Sequence, residues 1–137
     1  MRLTIERVLL LKSMEVFSEV PEEDLLKLAA ALEEIEARPD ERIIEKGEIG
    51  SSLYIVVDGS VRVHDGEQEL RVLGKREIFG ELAALDPEPR SASVTAIEDT
   101  SLFRLDERAL YEMMAENQTI TRGIIQILCR RLRTRRD

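Results

Sequence analysis

The residue types best suited to chemistry in this chain lie close together, between positions 79 and 94. Gly80 and Glu81 stand at the start of a predicted short helical turn, a loop with two prolines follows, and Arg90 then enters a strand. The arginine guanidinium is a permanently charged fork of donors that fits two phosphate oxygens. A glutamate at neutral pH only accepts hydrogen bonds, so it can hold a sugar hydroxyl. The group therefore suits a phosphate that lies beside a sugar hydroxyl.

Backbone amides supply further donors in the same segment. A helix start leaves N–H groups without intrahelical partners, so the amides of Leu82 and Ala83 are predicted to face an anion. Gly80 has no Cβ and lets a ligand approach the backbone, and the small residues Ser91 and Ala92 leave their own amides accessible. Taken singly, a glutamate at a helix start is a favourable dipole partner and an arginine in a strand pairs with a surface carboxylate. The spacing of the whole group favours the ligand site.

A second pattern precedes this segment, at residues 43–59. Two apolar residues are followed by a glycine–acid turn, a second glycine, four apolar residues and a closing glycine. Gly47, Gly50 and Gly59 are predicted to serve turns between strands, where a positive φ angle is often needed. The two segments together resemble the phosphate-binding cassette and preceding strands of cyclic nucleotide-binding domains. One residue departs from that family's pattern, because Ala84 stands where a larger aliphatic residue is usual.

The resemblance implies a ligand and a way of reporting its binding. A cyclic nucleotide would place its phosphate on Arg90 and on the amides of Leu82 and Ala83, and its ribose hydroxyl on Glu81. Cyclic AMP is favoured over cyclic GMP, because some relatives that favour guanine have threonine directly after the arginine, where this chain has Ser91. The final helix would close over the base and relay binding to another domain or subunit. Four of its residues could reach the ligand, although core packing is the expected role of any one of them: Ile124, Ile127, Leu128 and Arg131.

Composition limits the classes of protein to which the chain can belong. Its 137 residues are 43% hydrophobic and 35% charged, which is typical of one globular domain with its own core. Aromatic residues make up only 4% and Trp is absent, so a stacking platform for single-stranded nucleic acid is not expected. Cys129 has no second cysteine to pair with, and no apolar run is long enough for a membrane span. Together these features predict a cytoplasmic protein.

The net charge of −8 is unevenly distributed. Residues 130–137 carry five arginines and one aspartate. Such a tail can contact nucleic acid or acidic lipid, but a helix C-terminus also favours cations, and we prefer the second interpretation. An acidic chain that binds an anion must concentrate positive potential locally, and Arg90 would supply it.

The predicted elements run in the order helices, many short strands, helices. Residues 1–34 are predicted to form N-terminal helices, residues 35–105 a β-roll that contains the cassette at 79–92, and residues 106–137 two C-terminal helices. Short strands separated by regular turn signals indicate a mainly β fold of the jelly-roll or double-stranded β-helix type. The whole of 1–137 is interpreted as a single domain.

Several details of this pattern are specific enough to compare with a structure. Leu70 and Val72 are predicted to continue the apolar face of a hairpin that turns after Asp65. Thr119 or Thr121 is predicted to begin the last helix. The apolar stripe of that helix consists of Ile120, Ile124, Ile127, Leu128 and Leu132, with a buried Cys129 among them.

A catalytic role is not expected. His64 is the single histidine, so neither a multi-histidine metal site nor a serine–histidine–aspartate arrangement is predicted. Regulators of the family that bind DNA carry a helix-turn-helix segment after the last helix, and we expect none in this chain. The expected partners are a cyclic nucleotide, an effector domain or subunit, and a second copy that pairs through the last helix. The alternative is a β-roll that has lost its ligand and acts as a structural or interaction scaffold.

Overall fold

The computed structural model describes residues 2–136, and the side chains of Leu82, Ala83 and residues 134–136 lie outside that description. Along the chain, helices precede and follow a long run of strands. Within residues 2–136 the helices are α1 (Thr4–Lys12), a short 3-10 turn (Glu15–Phe17), α2 (Glu22–Ala31), α3 (Glu81–Leu85), α4 (Glu107–Glu116) and α5 (Gln118–Arg136). None of these helices is long and apolar enough to cross a lipid bilayer.

The strands between residues 33 and 106 form two antiparallel sheets. They are β1 (Glu33–Ala37), β2 (Arg42–Ile44), β3 (Ser52–Asp58), β4 (Val61–Asp65), β5 (Gln68–Leu73), β6 (Ile78–Phe79), β7 (Ser93–Ala96) and β8 (Thr100–Asp106). The first sheet has the order β1-β8-β3-β6 and the second the order β2-β7-β4-β5. The strands and α3 make up one compact unit, Leu32–Glu107, and the other helices make up a second, Met1–Ala31 with Arg108–Asp137.

The two sheets enclose an apolar core. The first sheet contributes Tyr54, Val56, Phe79 and Leu102, and the second contributes Ile44, Val61, Val63, Leu73 and Val94. The rings of Tyr54 and Phe79 stack with their centroids 5.0 Å apart and their planes 10° apart. This arrangement confirms the predicted jelly-roll β-roll with helices before and after it.

The hairpin of β4 and β5 does not follow the predicted register. A regular two-residue turn after Asp65 would place Leu70 and Val72 on the core-facing side. Instead, β5 contains a bulge with one extra residue, so Val61 lies opposite Leu73. Leu73 therefore joins the core, and the side chains of Leu70 and Val72 are about half exposed. The prediction that these two residues continue the apolar face is wrong because the bulge is not visible in the sequence pattern.

The single histidine has a structural role in the same hairpin. His64 is buried, with Nδ1 2.8 Å from the carbonyl oxygen of Gly66 and Nε2 2.7 Å from the hydroxyl of Thr95. A carbonyl only accepts hydrogen bonds, so Nδ1 carries the hydrogen and donates a hydrogen bond to the carbonyl oxygen of Gly66. In the neutral ring, Nε2 then accepts a hydrogen bond from the hydroxyl of Thr95. The ring thus ties the β4–β5 turn to β7.

Asn117 separates the last two helices and caps the start of the second of them. Its Oδ1 accepts a hydrogen bond from the Thr119 amide at 3.0 Å, and its Nδ2 donates to Asp24 at 2.9 Å. An asparagine that holds the amide two residues ahead is a typical N-cap. The last helix therefore starts at Gln118, and the prediction that Thr119 or Thr121 begins it is wrong.

The apolar stripe of α5 is buried only in its first half. Ile120 and Ile124 are each 1% exposed, whereas Leu132 is 63% exposed. Partly exposed residues lie between these extremes: Ile127, Leu128 and Cys129. The prediction of a buried Cys129 is therefore wrong, because the packing against this helix thins out before that residue is reached.

Gly123 provides a test of how tightly α5 packs against the 3-10 turn. A Cβ at this position would lie 2.1 Å from Cγ2 and 2.8 Å from the carbonyl oxygen of Val16. Alanine is the better helix former by about 1 kcal/mol, but the clash with the backbone of Val16 costs about 1–3 kcal/mol. We expect Gly123→Ala to lower the free energy of unfolding in urea, whereas Gln126→Ala, at an exposed position of the same helix, leaves it unchanged. A stabilised Gly123→Ala variant would contradict this close packing.

Candidate ligand-binding site

Arg90 lies in the loop before β7 and is held by two backbone carbonyls. Its Nη1 donates to the carbonyl of Gly80 at 3.2 Å, and its Nη2 donates to the carbonyl of Ser52 at 3.0 Å. Strand β7 begins only at Ser93, so the expectation that the arginine itself enters a strand is wrong by three residues. The forked guanidinium is thereby fixed against the start of β3 and the end of β6.

The backbone of Arg90 is fixed by a different part of the roll. Its amide donates to the carbonyl of Glu48 at 2.7 Å, and its carbonyl accepts from the amide of Gly47 at 2.9 Å. Ile49 and Pro89 form an isolated antiparallel bridge beside these bonds. The loop between β2 and β3 therefore positions the main chain of Arg90, while the first sheet positions its side chain.

Two glycines make room for the Arg90 side chain. A Cβ at Gly50 would lie 2.1 Å from Nε of Arg90, and a Cβ at Gly80 would lie 2.9 Å from its Nη1. Gly80 also has a φ of +79°, which glycine adopts readily. Gly47 and Gly59 have φ angles of +92° and +93°, which confirms their predicted turns. Gly50 does not have a positive φ, so its predicted role as a turn residue is corrected. Its missing Cβ instead leaves space for the guanidinium of Arg90.

The electrostatic environment of Arg90 is that of a partly desolvated cation. Burial lowers the pKa of the Arg90 guanidinium, and the ionisable groups of Tyr54, Glu48 and Glu81 act in the opposite direction. Within residues 2–136 no carboxylate forms an ion pair with Arg90, and its two hydrogen bonds go to neutral carbonyls. An anion that reached the guanidinium would therefore meet a positive charge that is not already neutralised at contact distance.

The other predicted site residues lie on either side of Arg90. Glu81 is 0% exposed and begins α3, whose first turn is closed by a 3.2 Å bond from the amide of Ala84 to the carbonyl of Gly80. Leu82 and Ala83 follow in this turn, and their side chains lie outside the described part of the chain.

After the cassette loop, Ser91 is exposed and Ala92 packs partly buried against the core of the roll. The structure thus brings Gly80 into direct contact with Arg90 and Glu81 into its electrostatic surroundings. The roles assigned to the amides of Leu82, Ala83, Ser91 and Ala92 stay predictions.

A cavity of about 240 Å³ opens beside Arg90. Besides Arg90, its lining consists of Ile43, Ile44, Glu48, Ile49, Gly50, Ser51, Ser52, Tyr54 and Arg104. The sequence interpretation placed only Arg90 of these residues in the site. The others come from β2, β3, β8 and a connecting loop, so their proximity depends on sheet pairing. Arg104 could have been noticed in the sequence, because its charge interrupts the apolar residues Leu102, Phe103 and Leu105.

Comparison with known proteins identifies the family to which this arrangement belongs. The family model of the cyclic nucleotide-binding domain matches residues 34–117. A CRP-like cAMP-activated global transcriptional regulator of Mycobacterium tuberculosis is 30% identical over 123 residues, which cover 86% of this chain and 55% of that protein. A cGMP-dependent protein kinase of Plasmodium berghei is 39% identical over 83 residues, which cover 61% of this chain and 10% of the kinase.

A solved structure gives the same result. The crystal structure of the Thermus thermophilus catabolite activator protein superposes with a TM-score of 0.78 at 33% identity, covering 87% of this chain and 58% of that one. The chain spans about half the length of the mycobacterial regulator and a much smaller part of the kinase. The match of the family model, which covers more than half of the chain and includes Gly47, Gly80, Glu81 and Arg90, leads to one conclusion. The chain belongs to the cyclic nucleotide-binding domain family.

Proposed function

We propose that this chain is a sensor that binds cyclic AMP in preference to cyclic GMP, and that the phosphate binds to Arg90. The observation that carries the proposal is the guanidinium of Arg90, which lies partly buried in the wall of a cavity. Among the described residues, its hydrogen-bond partners are two neutral carbonyls. A phosphate would bring a negative charge and several acceptors to this cation, and such charge-assisted hydrogen bonds are stronger than neutral ones.

In the proposal, Glu81 and the cassette amides complete the ligand contacts. Glu81 is buried at the first position of α3 and interacts electrostatically with Arg90, which supports a role as acceptor for the ribose hydroxyl. The amides of Leu82 and Ala83, with those of Ser91 and Ala92, are proposed to face the phosphate, as the family resemblance implies.

The preference for cyclic AMP is supported by Ser91, which stands where some relatives that favour guanine have threonine. The names of the relatives include both a cAMP-activated regulator and a cGMP-dependent kinase, so the choice between the bases is made on this residue.

The output of the sensor is proposed to act through α5 on another domain or subunit. The large apolar residues Ile125 and Leu132 of this helix are 53% and 63% exposed, which supports a further contact surface, either to an effector or to a second copy. A ligand changes such a contact only if it binds the two states of the sensor with different affinity.

A thermal melt tests ligand binding and its dependence on Arg90. At 100 times the dissociation constant, cyclic AMP should stabilise the protein by about 2.7 kcal/mol, which for a domain of this size is a melting shift of roughly 5–15 °C. We expect cyclic GMP to give a smaller shift and the non-cyclic adenosine 5′-monophosphate little or none.

In the same assay, Arg90→Ala should lose about 2–5 kcal/mol of binding and with it nearly all of the shift. The matched control is Arg108→Ala, which removes an arginine whose side chain is 90% exposed and should leave the shift unchanged. If no cyclic nucleotide moves the melting temperature of the wild type, the scaffold alternative is favoured. A full shift in Arg90→Ala would refute the assigned phosphate contact.

A second test uses the space that Gly50 leaves for the guanidinium. Gly50→Ala places a methyl group where Nε of Arg90 lies, so the fork must move away from its carbonyl partners. Loss of one charge-assisted hydrogen bond costs about 1.5–3 kcal/mol, so the affinity for cyclic AMP should fall by about 10- to 100-fold. Gly74→Ala is the control, since a Cβ there meets no atom within 4 Å. Equal affinities of the two variants, measured by titration calorimetry, would contradict this role of Gly50.

A further inference from the structure

Arg104 occupies a position where a charged side chain needs an explanation. It lies in β8, an inner strand of the first sheet, among residues that are at most 2% exposed: Leu102, Phe103 and Leu105. In the antiparallel register Arg104 lies opposite Tyr54 of β3. Cross-strand partners share one face of a sheet, and Tyr54 belongs to the core of the roll. The side chain of Arg104 therefore leaves β8 on the face that looks toward the core.

The contact that Arg104 makes within the protein is a weak reason for a charge at this position. Its Nη2 lies 3.4 Å from Oε2 of Glu33, on the neighbouring strand β1. The two side chains are 41% and 59% exposed, and exposed ion pairs of this kind contribute little to folding. An apolar residue would suit a core-facing position of an inner strand at least as well, so a role in stability does not account for the arginine.

The cavity beside Arg90 supplies a reason. Arg90 and Arg104 are the cations among the described residues that line it. Arg90 is fixed by two carbonyls, whereas the side chain of Arg104 is 41% exposed and its ion pair can be exchanged for another anion. We infer that Arg104 is a second anion-contacting residue of this site, which exchanges Glu33 for the phosphate of the incoming ligand. The inference rests on the proposed function, since it assumes an anionic nucleotide in this cavity.

In this inference, the carboxylate of Glu33 competes with the ligand phosphate for Arg104. While the carboxylate of Glu33 is paired with Arg104, an entering phosphate must displace it, so its removal should favour the ligand. Because the side chain of Arg104 is 41% exposed, its attraction for the ligand should be screened by salt. The contribution of Arg104 is therefore predicted to be moderate and to depend on ionic strength.

Titration calorimetry with cyclic AMP at about 50 mM and 300 mM salt tests this inference. We expect Arg104→Gln to weaken binding by about 3- to 10-fold at the lower salt concentration, and by less at the higher one. Arg104→Lys keeps the charge and should restore most of the affinity. Glu33→Gln should bind about twofold more tightly than the wild type. Arg108→Gln, which removes the same charge from an exposed position of α4, is expected to bind like the wild type.

The outcomes separate this inference from the proposed function. If the wild type binds cyclic AMP and both Arg104→Gln and Glu33→Gln bind it equally well at both salt concentrations, Arg104 does not contact the ligand, and the sensor function stands. If the wild type binds no cyclic nucleotide, both the proposed function and this inference are contradicted. The Glu33→Gln arm keeps the test decisive should Arg104→Gln melt early, because it leaves the arginine in place and predicts a gain in affinity.

Discussion

The site depends on the two hydrogen bonds that hold the guanidinium of Arg90 against the carbonyls of Ser52 and Gly80. These carbonyls belong to the start of β3 and the end of β6, and the two strands pair through Tyr54 opposite Phe79. The stacked rings of this pair lie in the core of the roll. Packing of the core therefore sets the distance between the two acceptors, and with it the direction in which the arginine fork points.

The main chain of Arg90 depends on a different set of contacts. Its amide and carbonyl bond to the loop that joins β2, in the second sheet, to β3, in the first. Because this loop also contains Gly50, the residues that anchor the main chain of the arginine and the residue that leaves space for its side chain lie in one segment. A ligand that drew the guanidinium toward its phosphate would therefore act on the ends of strands in both sheets.

Local features of the sequence were enough to predict the group around Arg90 as a candidate site, but not the other residues that line the cavity. Gly80, Glu81 and Arg90 lie within eleven residues, and the backbone demands of a short helix and a tight loop select recognisable residue types there. Ser52 contributes through a backbone carbonyl, for which no residue type is required, and it is 38 residues away from Arg90. The predicted register of the β4–β5 hairpin is wrong for a related reason. The bulge at Leu70 follows from the pairing between the two strands and not from the alternation of apolar and polar residues within one strand.

The overall charge of the chain explains why a local arrangement of arginines matters. With 28 acidic and 20 basic residues, the average field repels an anionic ligand. That repulsion comes mainly from solvated surface groups and is screened within about 8 Å at physiological ionic strength. The attraction of Arg90 acts at contact distance from a partly desolvated position, where screening is weak. An acidic protein can therefore bind an anion when its cations are set into the wall of a cavity, and Arg90 and Arg104 both line the cavity of this chain.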